Sequence, residues 1–461
     1  MEQIFEQNIA SWQIYLYNIV LLAVYLYQMA FRYVGKPVYG YIVSLFFYGM
    51  VNDFSMLLTG GRIISNIYQM VMVVWGIILV SRTRSSEKIA RQKISFVLFV
   101  VYGLYYLFSS IVIHGDNTML TLAHFSKLFI ALCCLLMMKE TIANGGLQSL
   151  FWVFWDLVVL QIYFSVFKMV LIGGYMEGWV GSLTGINGGG MGTALPLLGL
   201  ILFALKTDLK IRSLQDVAFL AGLLIIGFAT GKRAVWILFP ALFLMLGLYV
   251  YKQRIANKLF IALMVVPLVF YAGLRLSPTL NPEKKVGGSF DPDYALSYGL
   301  KYSAGIDKGH QDVQSGVGRI GALNWMWHRL EKSDQRAWLG SGLEYMVYAD
   351  HENYSNKFYY QGILGRGSIT GIISMFMTLG MTGCILFILF ILSLLLQNNS
   401  RLNHVVIGVA LFDYVFYNAT MLTSSSLLTL TLFLSVSSGM EDNGENMKET
   451  ECVESQTYHI T

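Results

Sequence analysis

The sequence predicts an all-α polytopic membrane protein with 12–13 transmembrane helices and one large, partly helical extracytoplasmic loop. Three observations predict it. Hydrophobic residues make up 56% of the 461 positions and charged residues 13%, about half the ~25% charge of a soluble globular domain. Apolar runs recur at or near the ~20 residues that a helix needs to cross ~30 Å of hydrocarbon. Lysine and arginine gather in alternate short loops, the pattern that orients membrane helices.

The apolar runs fall near 11–31, 38–58, 63–81, 94–114, 118–138, 150–172, 189–205, 216–231, 233–251, 259–274, 369–397, 404–422 and 424–439. The seventh, eighth and tenth are short. Only the Thr423-Ser424-Ser425-Ser426 region separates the last two, so one span plus a re-entrant piece is the alternative to two. The strongest basic loop carries Arg82, Arg84, Lys88, Arg91 and Lys93. Setting it in the cytoplasm also brings inside Arg32 and Lys36, the Lys206/Lys210/Arg212 loop, the Lys252/Arg254/Lys258 loop and Arg401. Four parts result: residues 1–274 with helices one to ten, an extracytoplasmic loop over 275–366, C-terminal helices over 367–440, and a polar cytoplasmic tail over 441–461. The acidic start, Met1-Glu2-Gln3-Ile4-Phe5-Glu6, is unlike a cleavable signal peptide. Cys133, Cys134, Cys384 and Cys452 make no readable disulfide framework, and a net charge of +5 asks for no nucleic-acid partner.

The long loop is expected to be folded in its second half, where Trp325, Trp327, Trp338, Tyr345, Tyr348, Tyr354, Phe358, Tyr359 and Tyr360 crowd together. Gly287-Gly288 with Pro278, Pro282 and Pro292 predicts a mobile first half. Ile320, Leu323, Trp327 and Leu330 recur at three- and four-residue steps, which predicts an amphipathic helix from Arg319 to Glu331. That stripe either packs the loop onto the membrane domain or faces a ligand.

No zinc-hydrolase, phosphate-loop or nucleophile-elbow motif is present, and no His/Cys metal constellation, so neither metal nor cofactor is expected. Ionisable residues at or near the membrane remain. Thr230-Gly231-Lys232-Arg233-Ala234 puts two cations in an outer turn, against the positive-inside bias. Arginine forks onto phosphate oxygens and lysine adds a point charge, so Lys232 and Arg233 either hold a diphosphate or anchor the turn on headgroups. Arg319 opens the loop helix, where free N–H groups favour an anion; Arg366 precedes the eleventh run. His351 is flanked by Asp350 and Glu352; an unperturbed imidazole can exchange protons near neutral pH, so it is a base or a solvated loop residue. Within the apolar runs stand Asp53, His124, Lys127, Asp156, Lys168 and Asp413; for Asp156 and Lys168 snorkelling towards the membrane surface is expected.

The layout resembles the Wzy-type polysaccharide (O-antigen, capsule, exopolysaccharide) polymerases of the O-antigen ligase superfamily. Gly231-Lys232-Arg233 looks like the family's basic turn at a span start. Gly318-Arg319, followed by Gly340-Ser341-Gly342, looks like its loop-helix opening, and Gly185-Ile186-Asn187-Gly188 like its Asn/Gly-rich loop. The family's loop histidine fits two registers here, His351 with Tyr354, Gly362 and Gly365, or Ile369 to Gly383 with Gly380 and Gly383 but without a histidine.

The resemblance implies a metal-independent glycosyltransferase of the bacterial cytoplasmic membrane. It would join polyprenyl-diphosphate-linked oligosaccharide units at the outer face, alongside flippase and chain-length regulator partners. It implies His351, Glu352 and Arg319 as catalytic, Lys232, Arg233, Arg319 and Arg366 as diphosphate-binding, and Trp325, Trp338 and Tyr354 as sugar-binding. A ligase of the same superfamily and a lipid-linked oligosaccharide flippase are the alternatives.

Overall fold

The computed structural model describes residues 11–27, 74, 93–126, 147–172, 191–229, 233–251, 270–276, 280–285, 287–304, 318–332, 335–344, 370–397 and 401–416. Among these the regular structure is helical and there is no strand. In chain order the helices are α1 (Ser11–Tyr27), α2 (Lys93–Leu107), α3 (Leu147–Ile172), α4 (Met191–Thr207), α5 (Leu214–Ala229) and α6 (Arg233–Met245). They continue with α7 (Pro292–Ala304), α8 (Gly318–Glu331), α9 (Gln335–Leu339), α10 (Gly371–Gln397) and α11 (Arg401–Phe416). π-helical turns extend α2 over Phe108–Ile113 and α6 over Leu246–Val250.

By length and composition alone, two stretches, Phe154–Leu171 in α3 and Gly371–Leu396 in α10, could cross a membrane. Shorter apolar helices run over Tyr15–Val24, Val97–Ile113, Gly192–Thr207, Leu214–Gly227 and Leu238–Val250. These helices carry apolar residues on every face, as expected of helices buried in a large core or crossing a membrane. One continuous apolar core joins them, running from Tyr17 and Leu21 through Phe203 and Leu223 to Phe376, Phe387 and Tyr414.

The contacts fix helix directions. Gln13 Nε2 donates to the Leu171 carbonyl at 2.6 Å, so the start of α1 meets the end of α3. Trp155, near the start of α3, stacks on Phe219 at the start of α5 with centroids 4.2 Å apart, and the Lys206 ammonium at the end of α4 sits 4.2 Å above the same indole. The Tyr251 hydroxyl donates to the Ala204 carbonyl at 2.8 Å, joining the ends of α6 and α4. Arg401, opening α11, donates to the Tyr249 carbonyl at 3.2 Å. Phe99 near the start of α2 meets Phe390 late in α10, whereas Tyr105 reaches Leu379. The pairs α1/α3, α3/α4 and α2/α10 therefore run antiparallel, whereas α3/α5 and α4/α6 run parallel. Lys93, Lys206, Lys210, Arg212 and Arg401 share one end of the bundle, and the ends of α2, α3 and α5 with the starts of α1, α4 and α6 share the other.

Local chemistry sets the boundaries. Ser213 and Asp216 form a reciprocal cap on α5: the Asp216 N–H donates to Ser213 Oγ at 3.3 Å, and Asp216 Oδ2 accepts from the Ser213 N–H at 3.0 Å. Two orphan donors of the first turn are thereby satisfied. Close crossings depend on glycine. A Cβ on Gly199 would press on Leu223, one on Gly222 on Ile162, and one on Gly273 on Trp236.

Helix α10 departs from the single span expected over 369–397. Gly380 has φ +67° and ψ −169° inside it. Cys384 Sγ lies 4.0 Å from the carbonyl oxygen of Ile372, twelve positions earlier; in a straight helix that offset is about 18 Å of rise. The chain therefore turns back on itself at Gly380, and α10 consists of a buried half-helix ahead of the glycine and a longer apolar helix after it.

Candidate functional site at the loop-bearing end

Helices α7, α8 and α9 belong to the long segment between the tenth and eleventh apolar runs, and α8 and α9 both pack on α10. They approach its N-terminal half, at the end of the bundle remote from the basic cluster. The segment begins with a tight turn. The Asn281 side chain, fully buried, donates to the Lys285 carbonyl at 2.8 Å and receives the Lys285 N–H at 3.2 Å. Arg275 donates from Nε to the Gly288 carbonyl at 2.9 Å, and from its terminal nitrogens to Gly287 and the Tyr271 hydroxyl. The expected mobile first half is therefore a fastened turn over the described residues. Arg275 spends its donors on that turn.

Helix α7 was not foreseen. Asp291 caps it, accepting the Tyr294 N–H at 2.8 Å, and Pro292 stands at the first helical position, where its missing N–H costs nothing. Asp-Pro ahead of an alternating stretch was the available signal. Helix α8 runs over Gly318–Glu331, matching the expected Arg319 to Glu331, but its buried face is different. Ala322 is fully buried and Leu323, Met326 and Leu330 pack on the core, whereas Trp327 is 60% exposed. Its indole N–H donates to Glu331 Oε1 at 2.8 Å, and His328 Nδ1 lies 3.0 Å from Glu331 Oε2. The step rule counted tryptophan as apolar, but its polar edge holds it on the open side.

The predicted site residues divide as follows. Arg233 is the first residue of α6 and Arg319 the second of α8; both are described as helix backbone, and Trp325 likewise. Trp338 lies in α9 and is 47% exposed. Lys232, His351, Glu352, Tyr354 and Arg366 lie outside the described residues. Arg233 begins its helix at the loop-bearing end of the bundle. Of the charges within apolar runs, Asp53 and Lys127 lie outside the described residues, His124 lies on a helical stretch over 118–126, and Asp413 lies in α11. Lys168 and Asp156 are buried. The Lys168 ammonium sits 4.7 Å from the Tyr17 ring centroid. Snorkelling was the expectation for it; instead a cation–π contact between α1 and α3 holds it inside protein.

Sequence reasoning missed how the loop meets the bundle. The half-helix that ends at Leu379 leaves terminal carbonyls without intrahelical partners. The Ser341 N–H donates to the Met377 carbonyl at 2.8 Å, the Gly342 N–H to Thr378 at 3.2 Å, and the Tyr105 hydroxyl to Leu379 at 3.0 Å. A Cβ on Gly340 would overlap the Thr378 carbonyl, and one on Gly380 would overlap Trp338. Only glycine at both positions lets the two backbones touch.

Among the described residues no group of His, Cys, Asp and Glu is placed to hold a metal ion. No protein-family model matches the chain, and no curated protein matches it.

Proposed function

We propose that the chain is a polytopic glycosyltransferase of the bacterial cytoplasmic membrane, a polysaccharide polymerase that joins polyprenyl-diphosphate-linked oligosaccharide units at the outer face. One observation carries the reading. Helices of the long segment pack on the end of the apolar bundle opposite Lys206, Lys210, Arg212 and Arg401, and Arg233 opens a helix at that same end. With the basic end in the cytoplasm, the loop and Arg233 face the outer leaflet, where lipid-linked units are presented.

In this reading the sugar–phosphate C–O bond of the donor breaks as the acceptor hydroxyl oxygen bonds to the anomeric carbon. The diphosphate leaves on its polyprenyl carrier. Lys232, Arg233, Arg319 and Arg366 neutralise its growing charge through fixed cations, with no metal required. His351 or Glu352 accepts the hydroxyl proton. Trp325, Trp338 and Tyr354 offer faces to sugar rings, and the bilayer holds both carrier tails in register.

The test is charge replacement in cells. Arg233→Ala and Arg319→Ala are each expected to reduce polymer roughly 100-fold or more, the scale of losing a charge-stabilising donor, while repeat units still reach the outer leaflet. Retention of units on the cytoplasmic leaflet instead makes transport the better description.

A further inference from the structure

We infer that Asp116 is a positioning residue, which fastens the extramembrane loop to the end of α2 and thereby sets the placement of α8 and α9. The inference rests on the polymerase reading for what the loop does, and on geometry alone for the joint itself.

Beyond α2, a π turn holds Ser109 and Ser110 fully buried, and the chain then reverses through Gly115, at φ +67°. The Asp116 N–H donates to the Ser110 carbonyl at 2.9 Å, which turns the Asp116 side chain inward. There it is 7% exposed. Its Oδ2 accepts the N–H of Leu343, 227 positions later, at 2.7 Å, the length of a charge-assisted bond. His114 Nε2 lies 3.1 Å from the Leu339 carbonyl oxygen; a carbonyl only accepts, so Nε2 carries the proton there. Ser109 Oγ donates to the same carbonyl at 3.4 Å. The last residue of α9 and the first residue past Gly342 are thus gripped from one turn of chain.

Gly342 shows how closely the two parts fit. Its φ is +91°, and a Cβ there would stand 2.7 and 2.8 Å from the two Asp116 oxygens and 2.9 Å from His114 Cβ. Asp116 grips one side of Gly340-Ser341-Gly342 while the broken end of α10 takes the other, through Met377 and Thr378. The loop is therefore clamped between two bundle helices. Since α8 packs on both α9 and α10, this clamp sets where the helix bearing Arg319 rests.

The experiment is hydrogen exchange on the purified full chain in lipid nanodiscs, with polymer formation from lipid-linked repeat units measured in parallel. Asp116→Ala is expected to raise exchange at Ser341–Leu343 roughly 10-fold or more, the consequence of losing a hydrogen bond to a charged acceptor, with exchange in α4 and α5 unchanged. Asp116→Asn retains an acceptor oxygen and is expected to restore both protection and polymer. Gly342→Ala, which drives a methyl group at the same carboxylate, is expected to reproduce the Asp116→Ala pattern, and serves where Asp116→Ala does not fold. Unchanged exchange at 341–343 in these variants overturns the inference. So does an increase spread evenly over α4 and α5, which marks general destabilisation. A wild-type chain that makes no polymer overturns the polymerase reading instead, and the exchange result still decides the joint.

Discussion

Glu283 illustrates how single polar groups hold the irregular part of this molecule. The Ser289 N–H and hydroxyl hydrogen-bond its carboxylate, and Lys285 and Arg275 lie near it, so its pKa is lowered from the usual glutamate value. A carboxyl whose folded pKa is depressed contributes stability above its unfolded pKa and loses it as pH falls through the folded value. Protection of the 281–290 turn is therefore expected to hold through neutral pH and to fall on acidification below the ordinary glutamate range. Glu283→Gln, which does not ionise, should remove that pH dependence in an exchange experiment run across the same window. Glu331 is lowered by a similar device, with His328 first and Trp327 second. At this scale the sequence was partly misleading. Trp327 scored as an apolar step, yet its N–H reaches Glu331; Asp291-Pro292 spelled out a cap and first turn that composition alone read as mobile.

Helix α10 shows what an element-level reading can and cannot see. Its apolar run is unbroken from Ile372 to Leu396 apart from small polar residues, so hydropathy makes it one span. The fold-back depends on a single backbone conformation at Gly380. It also depends on partners supplied by residues 341 and 342, which no local window contains. Gly340-Ser341-Gly342 and Gly380 stood out as glycine patterns, but nothing in either stated that they meet. Gly380→Ala is expected to be strongly destabilising. It adds the cost of an essentially glycine-only backbone region, about 1–3 kcal/mol, to an overlap with the Trp338 carbonyl that neither backbone can relieve. Thermal unfolding in detergent measures it, and Gly408→Ala, where a Cβ meets open space, is the control expected to be nearly silent.

For the whole molecule, the legible part was direction. Charge asymmetry between short loops predicted which helix ends lie together, and contacts as distant as Tyr251 to Ala204 and Arg401 to Tyr249 agree with it. Sidedness then has a direct check. In a background lacking the native cysteines, Ser297→Cys is expected to react with an impermeant maleimide on intact cells, and Lys210→Cys only after permeabilisation. The chemistry was less legible, because the cations and the loop histidine proposed for it come from separate turns that only the fold can join. The central claim is that this membrane bundle and its outer loop polymerise lipid-linked glycan unaided by nucleotide or metal. Reconstituting the purified chain with lipid-linked repeat units alone tests it most directly: the account predicts a ladder of longer products lost in Arg319→Ala, and unextended units with the intact chain would contradict it.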